Sequence, residues 1–381
     1  MTIFTRDEIE RRWNAVRAHL GNVECAVVPS FWNSYYLSGV PVVQWGRWAI
    51  TLLFRDRAPV LIIPELESSS AEANSPIGDV RHYRDDEGPS SMRTATGHAI
   101  DALHAAGAKA IGIEGRGMPA AMARQLHDAF PGKELPDVTD AIDEVRIISS
   151  TEEITYLRAA SKAADAGISA VIANLRPGVS ELSLCAKAQL AMTEAVPEGM
   201  ELTAACQMQQ AERSFLAHAA STQEPIATRT MVEVVCECQV WYYQAAVERA
   251  LLVGEPTPTV RDGYRASLEA FQASRAAIKP GATFAQVHDA ALKVLLRAGC
   301  DRVTTGSGLI RNVLHHTGGR IEFGSFRKGN ERKLEPGMVV TIEPWALIQG
   351  VGSPRHCDMV LVTDDGHELL SKADSGWIQI A

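Results

Sequence analysis

The stretch MVEVVCECQVWYYQAAVERALLVG, residues 231–254, decides the fold of this chain. Its two halves are rich in valine and aromatic residues, which predicts two strands. The segments GMVVTIEPWALI (337–348) and CDMVLVTDDG (357–366) have the same strand-like character. Helical patterns over Asp262–Ile278 and Phe284–Ala298 lie between them. This half is therefore predicted to be α+β, with paired helices on a mostly antiparallel sheet.

The first part of the chain carries a smaller α/β pattern, in which short apolar runs alternate with helical stretches. The runs are CAVVPS (25–30), AITLLF (49–54), PVLIIP (59–64) and AIGIEG (110–115). A long amphipathic pattern follows, with Ser150 or Thr151 as its N-cap and its end near Leu175. These patterns predict an N-terminal α/β domain over residues 1–146 and a second, α+β domain over residues 147–381.

Size and charge narrow the classes of function. The chain has 381 residues, which favours two domains, and a formal net charge of −9. Nucleic acids and anionic membranes require clustered Lys and Arg, so the charge favours a small-molecule or protein partner. The N-terminus lacks the apolar core of a signal peptide, and no window is apolar enough to span a bilayer. A cytoplasmic location is the expectation.

Three residues that are able to carry chemistry lie in or beside apolar strand patterns. Glu248 lies in AAVERALLV, Glu343 in VVTIEPWAL, and His218 follows SFLA. A carboxylate in a largely buried strand needs a cationic partner, because an unpaired buried charge costs several kcal/mol. That partner is either a cationic ligand or a protein cation, such as Arg249 or another arginine, and His218 is equally compatible with a structural role.

Two arginines have neighbours that suit anion recognition. Arg47 lies in VQWGRWAI between Trp45 and Trp48, and Arg320 follows the glycine pair of HHTGGRIEF. A planar guanidinium binds carboxylates in a bidentate manner, and aromatic neighbours hold it in place. Both arginines are also compatible with ordinary surface roles.

Taken together, the stretches at 231–254, LEPGMVVTIEPW and GSPRHCDMVLVTDDGHELL resemble the pita-bread family of aminopeptidase P, prolidase, methionine aminopeptidase and creatinase. The resemblance covers nearly the whole chain, including the N-terminal domain and the linker VRIISSTEEITYLRAASKAAD. It implies a creatinase/prolidase-like α/β N-terminal domain over residues 1–146, followed by an α+β pita-bread catalytic domain over residues 147–381.

The metallopeptidases of this family bind two metal ions through two Asp, one His and two Glu. By the resemblance, the two Asp positions correspond to Val235 and Ala246 in this chain. The His position lies near Leu309, and the second Glu position corresponds to Cys357. Of the five metal ligands, only Glu343 is therefore present. One carboxylate does not hold two metal ions. The resemblance therefore predicts an enzyme with no metal and no cofactor.

Among these relatives the resemblance is greatest to creatinase, which works without metal. It implies that His218, Glu248 and Glu343 are catalytic, with His218 as the general base and then general acid. The two glutamates would hold a substrate cation, and Arg47 and Arg320 its carboxylate. In creatinase the residue that matches Arg47 comes from the partner subunit, which implies a homodimer with a shared site.

Further substrate contacts follow from the same resemblance. His316 is a supporting candidate, and Tyr243 matches one member of a tyrosine pair. Creatinase has other residues where this chain has Gln244, Cys357 and Trp45, so the substrate is open. The prediction is a metal-independent amidinohydrolase that cuts a C–N bond in a guanidino or amidine carboxylate. An ectoine-type cyclic-amidine hydrolase and an inactive binding member are the alternatives, and Xaa-Pro peptidase activity is disfavoured.

Overall fold

The computed structural model describes residues 2–42, 46–216, 219–299, 314–316, 319–321, 328–344, 348 and 350–381. The chain forms two compact units, Met1–Arg146 and Ile147–Ala381. No helix within the described ranges is long and apolar enough to cross a membrane. The assignment of catalysis to the second unit stays a prediction.

The first unit is an α/β sandwich around a mixed sheet. Its strands are β1 (Cys25–Val28), β2 (Ile50–Phe54), β3 (Val60–Pro64), β4 (Asp79–Tyr83) and β5 (Ile111–Ile113). Its helices are α1 (Arg6–Arg17), α2 (Phe31–Ser38), α3 (Ser68–Asn74), α4 (Ser91–Ala105), α5 (Ala120–Ala129) and α6 (Thr139–Arg146). The strand order is β4-β3-β2-β1-β5, with β1 parallel to β5 and antiparallel to β2.

Local sequence signals set the helix starts in both units. The Thr5 side chain accepts a hydrogen bond from Glu8 N at 3.3 Å and caps α1. In the second unit Ser150 and Glu153 form a reciprocal capping box. Each cap satisfies backbone N–H groups that have no partner within the helix. The helix start expected at Ser150 or Thr151 is thus confirmed, with Ser150 as the N-cap.

The second unit packs helices on a mostly antiparallel sheet. Its helices are α7 (Thr151–Asn174), α8 (Glu181–Ala195), α9 (Pro258–Ala276) and α10 (Phe284–Arg297). Its strands are β6 (Leu202–Gln210), β7 (Thr230–Val240), β8 (Tyr243–Val253), β9 (Leu314–His316), β10 (Gly319–Ile321), β11 (Val339–Ile342), β12 (His356–Val362), β13 (His367–Leu369) and β14 (Gln379–Ile380). The main order is β11-β12-β8-β7-β6, and β9 pairs with β10.

Strands β7 and β8 form the centre of this sheet. They are joined by a two-residue turn at Trp241 and Tyr242, which both have positive φ, at 48° and 66°. Turns of this kind match the twist of a hairpin but usually contain Asn or Gly. The predicted order of an α/β domain followed by an α+β domain is confirmed.

Candidate active site

The strand register brings several polar residues to one face of the second sheet. Glu248 on β8 lies opposite Val235 on β7 and opposite Cys357 on β12. Glu343 directly follows β11, whose last residue pairs with Asp358, so Glu343 lies beside Cys357. Directly opposed residues of paired strands point to the same face. We call this the site face, and it carries Glu233, Val235, Ala246, Glu248, Glu343, Arg355 and Cys357.

A buried guanidinium lies among three carboxylates of the site face. Arg355 Nη1 lies 3.8 Å from Glu248 Oε1 and 3.6 Å from Glu343 Oε1, and its Nε lies 3.9 Å from Glu233 Oε1. Glu233, Glu248 and Arg355 are buried, whereas the Glu343 side chain is 15% exposed. Solvent or a ligand therefore reaches this cluster most readily at Glu343.

Burial and charge shift the protonation of the cluster. Burial raises the pKa of Glu233 well above its ordinary value, and the nearby Arg355 only partly opposes this. Burial alone would lower the pKa of Arg355, but the carboxylates of Glu248, Glu233 and Glu343 outweigh it and raise that pKa. Burial therefore favours the protonated form of Glu233, and the surrounding carboxylates favour the charged form of Arg355.

Backbone contacts hold Arg355 in place. Its N–H donates to Glu233 Oε2 at 2.9 Å, and Ser353 N donates to Ser214 Oγ at 2.7 Å. Gly352 has φ +114°, and a Cβ there would overlap both Ser214 Oγ and the carbonyl oxygen of Ala211. Glycine is therefore needed for the chain to approach so closely and carry Arg355 to the site face.

Arg249 lies on the opposite face, although it follows Glu248 in the sequence. Its guanidinium donates to Asp358 Oδ1 at 2.8 Å and to the carbonyl oxygens of Glu248 and Cys357 at 2.7 and 2.9 Å. Further donations reach the carbonyls of residues 373 and 374. Side chains alternate between the two faces along a strand, so Arg249 is excluded as the partner of the Glu248 carboxylate. The arginine beside that carboxylate is Arg355.

The structure places three predicted contact residues in different surroundings. Gln244 and Cys357 are buried on the site face, and Cys357 Sγ donates to Ala246 O at 3.5 Å. Burial, with the charges of the neighbouring carboxylates, raises the pKa of the Cys357 thiol. Tyr243 lies on the other face, where its hydroxyl donates to Glu153 Oε1 at 2.9 Å. The expected substrate contact of Tyr243 is therefore corrected to a contact with helix α7.

The structure describes the remaining predicted site residues to different extents. Arg47 belongs to the first unit, and its Nη2 forms an ion pair with Asp85 Oδ2 at 2.6 Å. His218 and Trp45 fall outside the described residues. In the antiparallel pairing of β9 with β10, His316 pairs with Gly319, and Arg320 pairs with residue 315. The structure describes only the backbone of these residues.

Two members of the cluster, Glu233 and Arg355, were not predicted from the sequence. Glu233 lies in the apolar strand MVEVV, and it precedes Val235 by two residues on the same face. Arg355 precedes Cys357 by the same spacing. Side chains two residues apart in a strand point to the same face of the sheet. The positions two residues before Val235 and Cys357 were therefore the signal by which Glu233 and Arg355 could have been found.

Comparisons with known proteins identify relatives of both units. A model described as metallopeptidase family M24 matches residues 155–364, more than half of the chain. A model of the creatinase/prolidase N-terminal domain matches residues 12–148. A Xaa-Pro dipeptidase from Pyrococcus furiosus is 27% identical over 345 residues, which is 90% of this chain and 91% of the relative.

Solved structures share the fold along the whole chain. The prolidase from Pyrococcus horikoshii has a TM-score of 0.81 at 24% identity and covers 96% of this chain and 99% of its own. The dipeptidase PepE from Mycobacterium ulcerans has a TM-score of 0.83 at 24% identity and covers 99% of both chains.

These findings correct the predicted activity. The expected metal-independent amidinohydrolase, acting on a guanidino or amidine carboxylate, is wrong, because the matching model is that of a metallopeptidase family and the relatives are Xaa-Pro dipeptidases. Individual residue matches with creatinase led to the wrong activity, and the relatives point to the peptidase activity that those matches disfavoured.

Proposed function

Because the chain belongs to the metallopeptidase family M24, we propose that it is a peptidase that hydrolyses small peptides of the Xaa-Pro dipeptide kind. The support is the similarity to Xaa-Pro dipeptidases over nine-tenths of both chains, together with the buried carboxylates of the site face. A free dipeptide carries an ammonium group at one end and a carboxylate at the other.

The charge of the site face suits the ammonium end. Three carboxyl groups surround the single guanidinium of Arg355, so negative charge remains even when Glu233 keeps its proton. Charge-assisted hydrogen bonds from an ammonium to carboxylates are stronger than neutral ones. In this proposal Glu343, the more exposed carboxylate, accepts first from the ammonium, and Glu248 accepts from deeper within the site.

The described residues do not fit the metal centre that the family name implies. Val235 and Ala246 carry no donor atom, and the Arg355 guanidinium lies where cations would meet the carboxylates. Within the part of the chain that the structure describes, no three His, Cys, Asp or Glu side chains form a group able to hold a metal ion. We therefore assign roles to the chain's own side chains only, and His218 stays a proposed proton carrier.

A dipeptide panel tests the proposed activity. The full chain is assayed with Xaa-Pro dipeptides and with the same residues in reversed order, each with added Mn²⁺, Co²⁺ or Zn²⁺ and with chelator. We expect cleavage of Xaa-Pro dipeptides, and a loss of at least about 100-fold in Glu248→Gln. Glu255→Gln, a change at an exposed residue, is the matched control and should retain activity. Failure to cleave any dipeptide under every condition would reject the proposal.

A second experiment tests whether the site is shared between subunits. The predicted role of Arg47 requires a homodimer, and on the first unit its guanidinium forms an exposed ion pair with Asp85. Mixing inactive Arg47→Ala and His218→Ala chains should restore part of the dipeptidase activity if each site takes one residue from each subunit. No restoration in a mixture that is shown to form hybrid dimers would place both residues in one chain's own site.

A further inference from the structure

A groove on the first unit combines apolar and cationic lining residues. It has a volume of about 660 Å³ and lies between α1, the turn that joins β2 to β3, and the residues just before β4. The buried residues Trp13, Pro59 and Ile77 form its apolar floor. Pockets of this size hold small molecules, which contact apolar walls and a few well-placed polar groups.

The groove carries an excess of positive charge, although the whole chain has a formal net charge of −9. Four arginines and two acidic residues line it. Both acidic residues form ion pairs within the groove, Glu10 with Arg6 at 2.7 Å and Asp56 with Arg57 at 3.5 Å. The charges of the other two arginines are therefore not balanced by these pairs.

These two arginines, Arg17 and Arg55, donate to uncharged acceptors. Arg17 Nε donates to Phe54 O at 2.8 Å and its Nη2 to Arg57 O at 2.6 Å, while Arg55 Nη1 donates to Gly21 O at 2.9 Å. Neither guanidinium forms an ion pair with a carboxylate among the residues that the structure describes. Burial lowers the pKa of Arg17 more than a nearby carboxylate raises it. An anion bound beside Arg17 would therefore stabilise its charged form.

We propose that this groove binds an organic phosphate monoester, with the phosphate at Arg17 and Arg55 and the organic part on the apolar floor. A phosphate monoester carries a charge of about −2 at neutral pH, which matches the two unbalanced arginines. Planar guanidinium groups bind phosphate oxygens through paired, charge-assisted hydrogen bonds. The inference goes beyond the proposed peptidase activity, because the groove belongs to the first unit and includes no residue of the site face.

Calorimetric titration of the full chain with adenosine 5′-monophosphate (AMP) tests the inference. AMP has both a phosphate monoester and an aromatic part, whereas inorganic phosphate and adenosine each supply only one of them. We expect AMP to bind at least about 10-fold more tightly than either of these two compounds. Inorganic phosphate that binds as tightly as AMP would show that the apolar floor takes no part, and would overturn the inference.

Two variants test whether the binding is in this groove. Arg55→Met removes one exposed guanidinium and should weaken AMP binding by about 10-fold or more. Gly78→Glu adds a carboxylate to the groove at a position where a Cβ meets no atom within 4 Å, and should also weaken binding by at least about 10-fold.

Each variant has a matched control in the second unit. Arg261→Met replaces another exposed arginine, and Gly366→Glu adds a carboxylate at a glycine that also has open space around it. Both controls should bind AMP as tightly as the wild type. Because the two test variants change different features of the groove, either one that folds is sufficient to test the inference.

Two further results would overturn the inference. One is AMP binding that is unchanged in folded Arg55→Met or Gly78→Glu chains, since the ligand would then bind elsewhere. The other is the absence of measurable AMP binding by the wild type at millimolar concentrations. Neither result bears on dipeptide hydrolysis, which the dipeptide panel tests separately.

Discussion

Replacing Arg249 with methionine should destabilise the second unit strongly, because this arginine holds β8 to β12. Arg249 is fully buried and forms an ion pair with Asp358, which is also buried. It also donates to four backbone carbonyl groups, including those of Glu248 and Cys357. Removing one partner of a buried ion pair costs about 3–5 kcal/mol, since the other charge remains buried and uncompensated.

Urea unfolding followed by circular dichroism measures this cost. We expect Arg249→Met to lower the free energy of unfolding by about 4 kcal/mol, a large share of the roughly 5–15 kcal/mol that stabilises a domain. Adding Asp358→Asn removes the uncompensated charge, so the double variant should be more stable than Arg249→Met alone. A loss below about 1 kcal/mol in Arg249→Met, or a double variant that is less stable than the single one, would refute this reasoning.

Three further predictions concern the surroundings of the site face. Folding raises the pKa of Glu233 above its ordinary 4.5, so the free energy of unfolding of the wild type should fall as pH rises from that value. Urea unfolding between pH 5 and 8 measures this loss, which Glu233→Gln should lack. Burial lowers the pKa of His356 to about 3, so wild-type stability should fall as pH drops from 6.5 towards 3, and His356→Phe should lack that acid loss. Gly352→Ala should lower the free energy of unfolding by about 1–3 kcal/mol, because its Cβ would overlap Ser214 Oγ, whereas Gly350→Ala, also at positive φ but in open space, should cost less.

Each of these predictions has a result that would count against it. Parallel pH profiles for wild type and Glu233→Gln would mean that Glu233 titrates normally in the folded chain. If His356→Phe still loses stability at acidic pH, that loss comes from other groups. Equal destabilisation by alanine at 352 and 350 would mean that only the positive φ matters there, and that the approach to Ser214 is not tight.

Strong local signals in the sequence predicted most of the second unit. The apolar runs of β7 and β8 and the capping box at Ser150 leave little choice of structure, so the strands and the start of α7 follow from them. Strand β6, Leu202–Gln210, was missed because its first residues alternate between exposed and half-buried and its last ones are glutamines. Helix α2, FWNSYYLS, was missed because aromatic residues favour strands as much as helices.

The candidate site was harder to predict than the fold, because its partners come from separate strands. Glu248 and Glu343 were predicted as neighbours only through the resemblance, and the register of β8, β12 and β11 now places them on one face. The sequence does not reveal that Arg355 lies between them, since which arginine neutralises a buried glutamate depends on strand register. Arg249 was suggested because it is next to Glu248 in the sequence. Side chains alternate between the two faces along a strand, so Arg249 points to the other face.

Recognition of a free ammonium group is the central claim about the site face, and one ratio tests it most directly. The specificity constant kcat/KM is measured for Ala-Pro and for N-acetyl-Ala-Pro, in the wild type and in Glu343→Gln. Our account predicts that the wild type prefers Ala-Pro by about 100-fold or more, and that Glu343→Gln loses at least about 10-fold of this preference. Equal rates on both substrates in the wild type, or an unchanged preference in Glu343→Gln, would contradict it.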